Sequence, residues 1–172
     1  MGFRLSDTTE VVLENVRVPR SAVIGEVGCG MSIALNALNL SRAFISTLAV
    51  GIMQRALDEA VAYAKQRKQF GRRLIDFEMV QAMLADMAIK TEAARVLVNN
   101  CMRQMDAGEM VRKDGAIVKT FVTDAMQEVV SNAVQVLGGY GYSEEYPVEK
   151  LMRDAKIFQI FEGSNQIQRM TI

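Results

Sequence analysis

Apolar side chains recur with the period of a helix over most of the chain. From Met31 they fall at Ala34, Leu35, Leu38, Ile45, Leu48, Ala49, Ile52, Ala56 and Ala60, which predicts one long amphipathic helix running to about Gln66. Gly71 and Asp76 bracket a turn. A second helix carries Met79, Val80, Met83, Leu84, Met87, Thr91, Ala94, Val98, Cys101 and Met105, and Gly108 ends it. A third carries Ile117, Val118, Phe121, Val122, Ala125, Val129, Ala133 and Val136 and stops at Gly138-Gly139. Pro147 opens a short fourth helix in its first turn, and Ser164 is placed to N-cap a last one. Long helices joined by short links predict an all-α, antiparallel up-and-down bundle.

The N-terminal stretch reads differently. Val11, Val12, Leu13, Val16 and Val18, stopped by Pro19, carry strand chemistry, and a strand without a partner is not stable alone. Residues 1–27 therefore read as a short sheet fragment and linker that either packs on the helices or has been cut from a larger sheet, and residues 28–172 as the helical bundle domain. The glycines from Gly25 to Gly30 follow the order Gly-x-x-Gly-x-Gly, not the dinucleotide-binding one, so they read as a domain connection.

Composition narrows the chemistry. Twenty basic and twenty acidic side chains cancel in 172 residues, which argues against a dedicated nucleic-acid surface or a polybasic membrane patch. The most apolar run, Ala43 to Met53, is too short to span a bilayer. The chain has no histidine, so Ser-His and Cys-His nucleophile systems are excluded and a carboxylate becomes the natural general base. Cys29 and Cys101 lie far apart, with no Cys-x-x-Cys spacing and no histidine to complete a zinc site, and read as reduced structural thiols; no metal site is expected. The twelve methionines read as core filler.

Glu162 stands out among the carboxylates. Ile157, Phe158, Ile160 and Phe161 precede it and would strip its hydration, and Gly163-Ser164 follow it as a tight turn and helix start with free N–H groups. That setting suits proton abstraction beside a carbonyl, although a solvated turn carboxylate would read the same way. Arg67-Lys68-Gln69-Phe70-Gly71 could grip a phosphate and cover an apolar ring, or be a basic helix end.

Leu-Gly-Gly-Tyr-Gly-Tyr (137–142), Glu-Tyr-Pro-Val-Glu-Lys-Leu-Met-Arg-Asp-Ala-Lys (145–156) and Phe-Glu-Gly-Ser-Asn-Gln-Ile-Gln-Arg (161–169) together resemble the C-terminal part of the acyl-CoA dehydrogenases, most closely the short- and medium-chain type. The resemblance runs from Ser6 to Ile172. It implies an FAD enzyme of fatty-acid β-oxidation that converts an acyl-CoA thioester to the trans-2-enoyl-CoA and passes electrons to an electron-transfer flavoprotein. It also implies a homotetramer, a dimer of dimers, in the cytoplasm of a bacterium or the mitochondrial matrix of a eukaryote. Glu162 would be the base, and its backbone N–H a donor to the thioester carbonyl. Some family members place the base in the first long helix, just before the arginine matching Arg42; Ser41 stands there and cannot serve.

By the same resemblance Arg67, Gln69 and Phe70 reach the FAD of a neighbouring subunit, and Gln135, Gly138 and Gly139 contact its adenosine side. Phe77 lies near the same cofactor, and Ser164, Asn165 and Gln166 form the flavin-contacting turn. Asn39, Leu40, Ser41, Arg42 and Gly163 line the acyl-CoA path. The first residues would be the last strands of a middle β-domain whose remainder lies outside this chain, and the final bundle helix would be cut short. Turnover by these 172 residues alone is not expected. A non-catalytic oligomerisation module and an oxidase-like flavoenzyme are the alternative readings.

Overall fold

A computed structural model describes residues 1–172. Three long helices form the body: α1 (Gly30–Gln66), α2 (Glu78–Asp106) and α3 (Arg112–Leu137). Two short ones, α4 (Pro147–Ala155) and α5 (Asn165–Thr171), close one side. Where the sequence marks a helix end, the observed end falls within a residue or two of it, because the terminators act locally; α3 begins at Arg112, five residues before Ile117, the first apolar position read for it. Pro147 is the first residue of α4, Ser164 caps α5, and Gly108 and Gly138 take left-handed conformations after α2 and α3.

α3 is the centre. It is buried on most of its circumference, with Val122, Met126, Val129, Val130 and Ala133 at zero exposure, and it packs against all four other helices. α2 lays a narrower seam on the pair, with Leu84, Met87, Thr91, Ala94, Val98 and Cys101 buried at alternating spacings of three and four. α1 contributes small residues: Ala43, Ala49, Ala56, Ala60 and Ala64 are wholly buried. Successive helices run antiparallel, so α1 and α3 are parallel, and small side chains let them come close. A Cβ added at Gly115 of α3 would sit 3.3 Å from the Asn39 carbonyl oxygen of α1.

The sequence expectation fails at the N-terminus. Residues 3–18 form no strand, and Val11, Val12, Leu13, Val16 and Val18 are all exposed. A strand is held by its ladder partner, and this stretch pairs with no other strand. The first residues dock on α4 and the segment after it: the Phe3 ring lies edge-on to Phe158 and Phe161 and the Phe3 N–H is donated to Asp154 at 2.6 Å, while the Met1 carbonyl accepts from Arg153 at 3.3 Å. The actual strands lie where a turn is expected: β1 (Lys68–Gln69) and β2 (Arg72–Arg73) pair antiparallel around Phe70-Gly71, both with positive φ, as a two-residue hairpin turn requires.

Two smaller expectations also change. Cys101 is buried and free, but Cys29 is exposed at the N-cap position of α1, where its carbonyl, and not its thiol, takes part by accepting from the Ile33 N–H and Ser32 Oγ. α1 extends well beyond the Ala43–Met53 run and reaches the length and hydropathy of a membrane-crossing helix, with a mean of 1.4 over its most apolar 18 residues. Here its buried side packs against α2, α3 and α4 and carries the buried Arg42.

The close approach of α1 to its neighbours predicts a steric limit. Ala56→Leu overfills a wholly buried position and should cost about 1–3 kcal/mol in urea denaturation, whereas Met126→Ala should cost about 2–5 kcal/mol through the cavity it leaves.

Candidate active site

The segment between α4 and α5 makes a strained turn. Glu162 has φ +56° and Gly163 φ +84°, two successive left-handed residues, the first of which carries a side chain that normally avoids that region. At Gly163 the positive φ favours glycine, and a Cβ would lie 2.5 Å from the Gln168 amide nitrogen and displace it from the carbonyls it holds. Ser164 then caps α5, its Oγ accepting the Ile167 N–H at 3.4 Å.

Three side chains hold this turn from below. Lys119 of α3, with no exposed surface, donates to the Gly163 carbonyl at 2.9 Å and to Asn165 Oδ1 at 2.7 Å. Gln168, also wholly buried, donates to the carbonyls of Glu162 at 3.0 Å and Gly163 at 2.9 Å. Asn165 turns its amide inward onto Thr123 Oγ1 at 2.8 Å and Asp124 Oδ1 at 2.7 Å. Both carbonyls of the turn are thus engaged, while the Glu162 N–H has no acceptor within the chain.

The half-buried Glu162 carboxylate accepts a 2.5 Å hydrogen bond from Ser41 Oγ on α1. The single Ser41 proton can go there or to the Leu38 carbonyl at 3.1 Å, and the charged acceptor is the stronger. One residue on, Arg42 is buried, with Nη1 on Asn39 Oδ1 at 3.0 Å and Nε unpartnered. Burial, and then Arg112 nearby, push the Arg42 pKa down, and Glu162 pulls it back up. Burial also lowers the Lys119 ammonium to about 8, opposed by Asp124, deepened by Arg42 and opposed again by Glu162. Burial would raise the Asp124 carboxyl, but hydrogen bonds from Arg169, Gln159 and Asn165 outweigh it and bring it below its ordinary value.

Asn39, Ser41, Arg42, Glu162, Gly163, Ser164 and Asn165 therefore meet where the N-terminal parts of α1 and α3 pass the turn, with Leu40 and Gln166 exposed beside them. The Asn165 side chain is used up inside the protein, and the residue as a whole is buried, so it supports the turn from within. The sequence reading passed over Lys119, Thr123, Asp124 and Gln168. A signal for Lys119 was present, since it lies three residues before Val122 and seven before Met126, on the buried face of an apolar helix.

The remaining candidates gather elsewhere. Arg67, Gln69, Gly138 and Gly139 line an open cleft of about 650 Å³ with Tyr63 and Tyr140, the Arg67 guanidinium lying over the Tyr140 ring. Added Cβ atoms at Gly138 and Gly139 would meet nothing within 4 Å, so their backbone is open to approach. Phe70 stands in solvent at 93% exposure, edge-on to Phe77, whose face carries the Arg72 guanidinium. Gln135 is exposed on the last turn of α3, outside the cleft lining. At 1.5 Å per residue, this cleft lies roughly 37 Å along α1 from Ser41 and roughly 27 Å along α3 from Lys119. One chain does not bring the two groups together.

A profile of the acyl-CoA dehydrogenase C-terminal domain matches residues 28–172. The probable acyl-CoA dehydrogenase fadE25 of Mycobacterium bovis is 49% identical over 173 residues, covering 100% of this chain and 44% of its own length. The caffeyl-CoA reductase-Etf complex subunit CarC of Acetobacterium woodii is 42% identical over 172 residues, covering 100% of this chain and 45% of its own. In three dimensions, butyryl-CoA dehydrogenase from Megasphaera elsdenii superposes with a TM-score of 0.91 at 45% identity, over 93% of this chain and 42% of that one. The chain thus spans less than half the length of these relatives. By its sequence and by the fold of its helices, it belongs to the acyl-CoA dehydrogenase family and spans that family's C-terminal domain.

Proposed function

We propose that this chain forms the base-bearing part of an FAD-dependent acyl-CoA dehydrogenase, in which Glu162 takes the α proton of an acyl-CoA thioester as the β hydride leaves and the trans-2 double bond forms. The observation that carries this reading is the Glu162 turn itself. It combines a carboxylate fixed by Ser41, a backbone N–H free of any acceptor in the chain, and two carbonyls already engaged by Lys119 and Gln168. An α C–H is a very weak acid, so a base must act together with a donor that stabilises the developing enolate oxygen. Glu162 supplies the first with its side chain and the second with its N–H. Bound FAD supplies the hydride acceptor, which no side chain can replace.

The cleft at the far end of the bundle fits part of such a cofactor. Arg67, lying over the Tyr140 ring, offers a guanidinium for phosphate, the Gly138-Gly139 backbone can be approached closely, Tyr63 lines the wall, and the exposed Phe70 follows Gln69 just outside the lining. Because the cleft and Glu162 of one chain are so far apart, we assign the cleft to the FAD of a neighbouring copy, within a homotetramer. Exposed apolar side chains along α1, including Met31, Leu35, Phe44 and Leu48, provide surface for such assembly. An electron-transfer flavoprotein is the proposed acceptor, a choice supported by the Etf complex in the name of the Acetobacterium relative.

In the full-length enzyme, Glu162→Gln should slow anaerobic reduction of the flavin by acyl-CoA at least about 100-fold while the tetramer stays intact in sedimentation. Arg67→Ala should weaken FAD retention about 10-fold or more, read by flavin content after dialysis, since it removes a charged donor. Residues 1–172 alone, supplied with FAD, should show no dehydrogenase turnover in a dye-reduction assay; measurable turnover would contradict that expectation.

A further inference from the structure

Lys119 is the least expected residue in the molecule. It sits at zero exposure on α3, and no carboxylate is hydrogen-bonded to its ammonium. A buried cation without a direct ion pair is costly, and a methionine would fill the same space more cheaply. What the lysine obtains is narrow. Both its hydrogen bonds end on the residues that follow Glu162, one on the Gly163 carbonyl and one on the Asn165 side chain. Asn165 is itself anchored to Thr123 and Asp124, one helical turn further along α3. The lysine therefore ties the strained turn to the most deeply packed helix of the bundle, while Ser41 holds the glutamate side chain from α1.

We propose that Lys119 is a positioning residue for the reaction: by drawing the Gly163 carbonyl and the Asn165 side chain onto α3, it keeps Glu162 in its left-handed conformation, with carboxylate and N–H set for the same thioester. This rests on the reading of Glu162 as the base. The lysine touches neither substrate nor cofactor in this role and works through the backbone of the turn. Its loss should move the base by a fraction of a bond length or more, which is felt in the chemical step far more than in binding.

The test uses Lys119→Met in the full-length enzyme, beside wild type and Glu162→Gln. Anaerobic stopped-flow separates the limiting rate of flavin reduction from the acyl-CoA Kd, and amide hydrogen exchange follows the peptide 160–167 without any turnover. Lys119→Met should lower the limiting rate about 100-fold, leave Kd within about threefold, and speed exchange in 160–167 about 10-fold or more while peptides of α1 and α3 are unchanged. A near wild-type limiting rate would overturn the proposal, as would a lower rate without faster exchange in 160–167 or a loss residing in Kd. If Lys119→Met does not fold, Asn165→Leu withdraws one of the two lysine acceptors and is judged by the same criteria. Failure of the underlying reading looks different: Glu162→Gln would then be reduced by acyl-CoA as fast as wild type.

Discussion

The close contact between α1 and α3 is the constraint from which the site follows. Ala43, Ala49, Ala56, Ala60 and Ala64 keep the buried face of α1 thin, and Gly115 lets α3 meet the backbone of α1 beside Asn39. At that level Ser41 and Arg42 from one helix and Lys119 from the other surround a single turn. Larger side chains on either face would separate the helices and take the two ends of the Glu162 constellation apart together. Packing and chemistry are therefore coupled through the width of one interhelical contact.

The turn is expensive in two ways. Glu162 occupies a backbone region that costs about 1–3 kcal/mol for a residue with a side chain, and Lys119 beneath it has its pKa lowered to about 8. The second cost has a definite pH sense. A lysine whose folded pKa is depressed binds its proton less well in the native state, so its penalty is fully present below about 8 and fades as pH rises towards the unfolded value of about 10.5. Neither strain nor buried charge would persist unless the surroundings over-determined it. Gln168, Asn165, Thr123 and Asp124 provide that support, each through hydrogen bonds that leave the turn little freedom.

The bundle also separates functions along its length. The glutamate lies at one end of the parallel pair α1 and α3, and the cleft of Arg67, Gly138 and Gly139 at the other. Rigid helices preserve that separation, and under the proposed function the molecule in the cleft belongs to another copy of the chain. On that proposal assembly is part of the chemistry, and the exposed apolar side of α1 is surface available for it.

Helix number and most termini were legible in the sequence, because the 3.6-residue recurrence from Met31 to Val136, the stops at Gly108 and Gly138 and the start at Pro147 are local properties. Glu162 was legible as a candidate for the same reason: an apolar run, a glycine and a capping serine are neighbours in the chain. The strand chemistry at Val11–Val18 misled, since a strand is stabilised by a partner elsewhere and not by its own residues. Lys119 and Gln168 were passed over because their meaning lies in what they touch, and Asn165 turned inward onto Thr123 and Asp124 for a reason no spacing shows. Local periodicity decided the helices; only their packing, which brings residues 41, 119 and 162 within reach of one another, decided which polar groups would be buried and which would be left free.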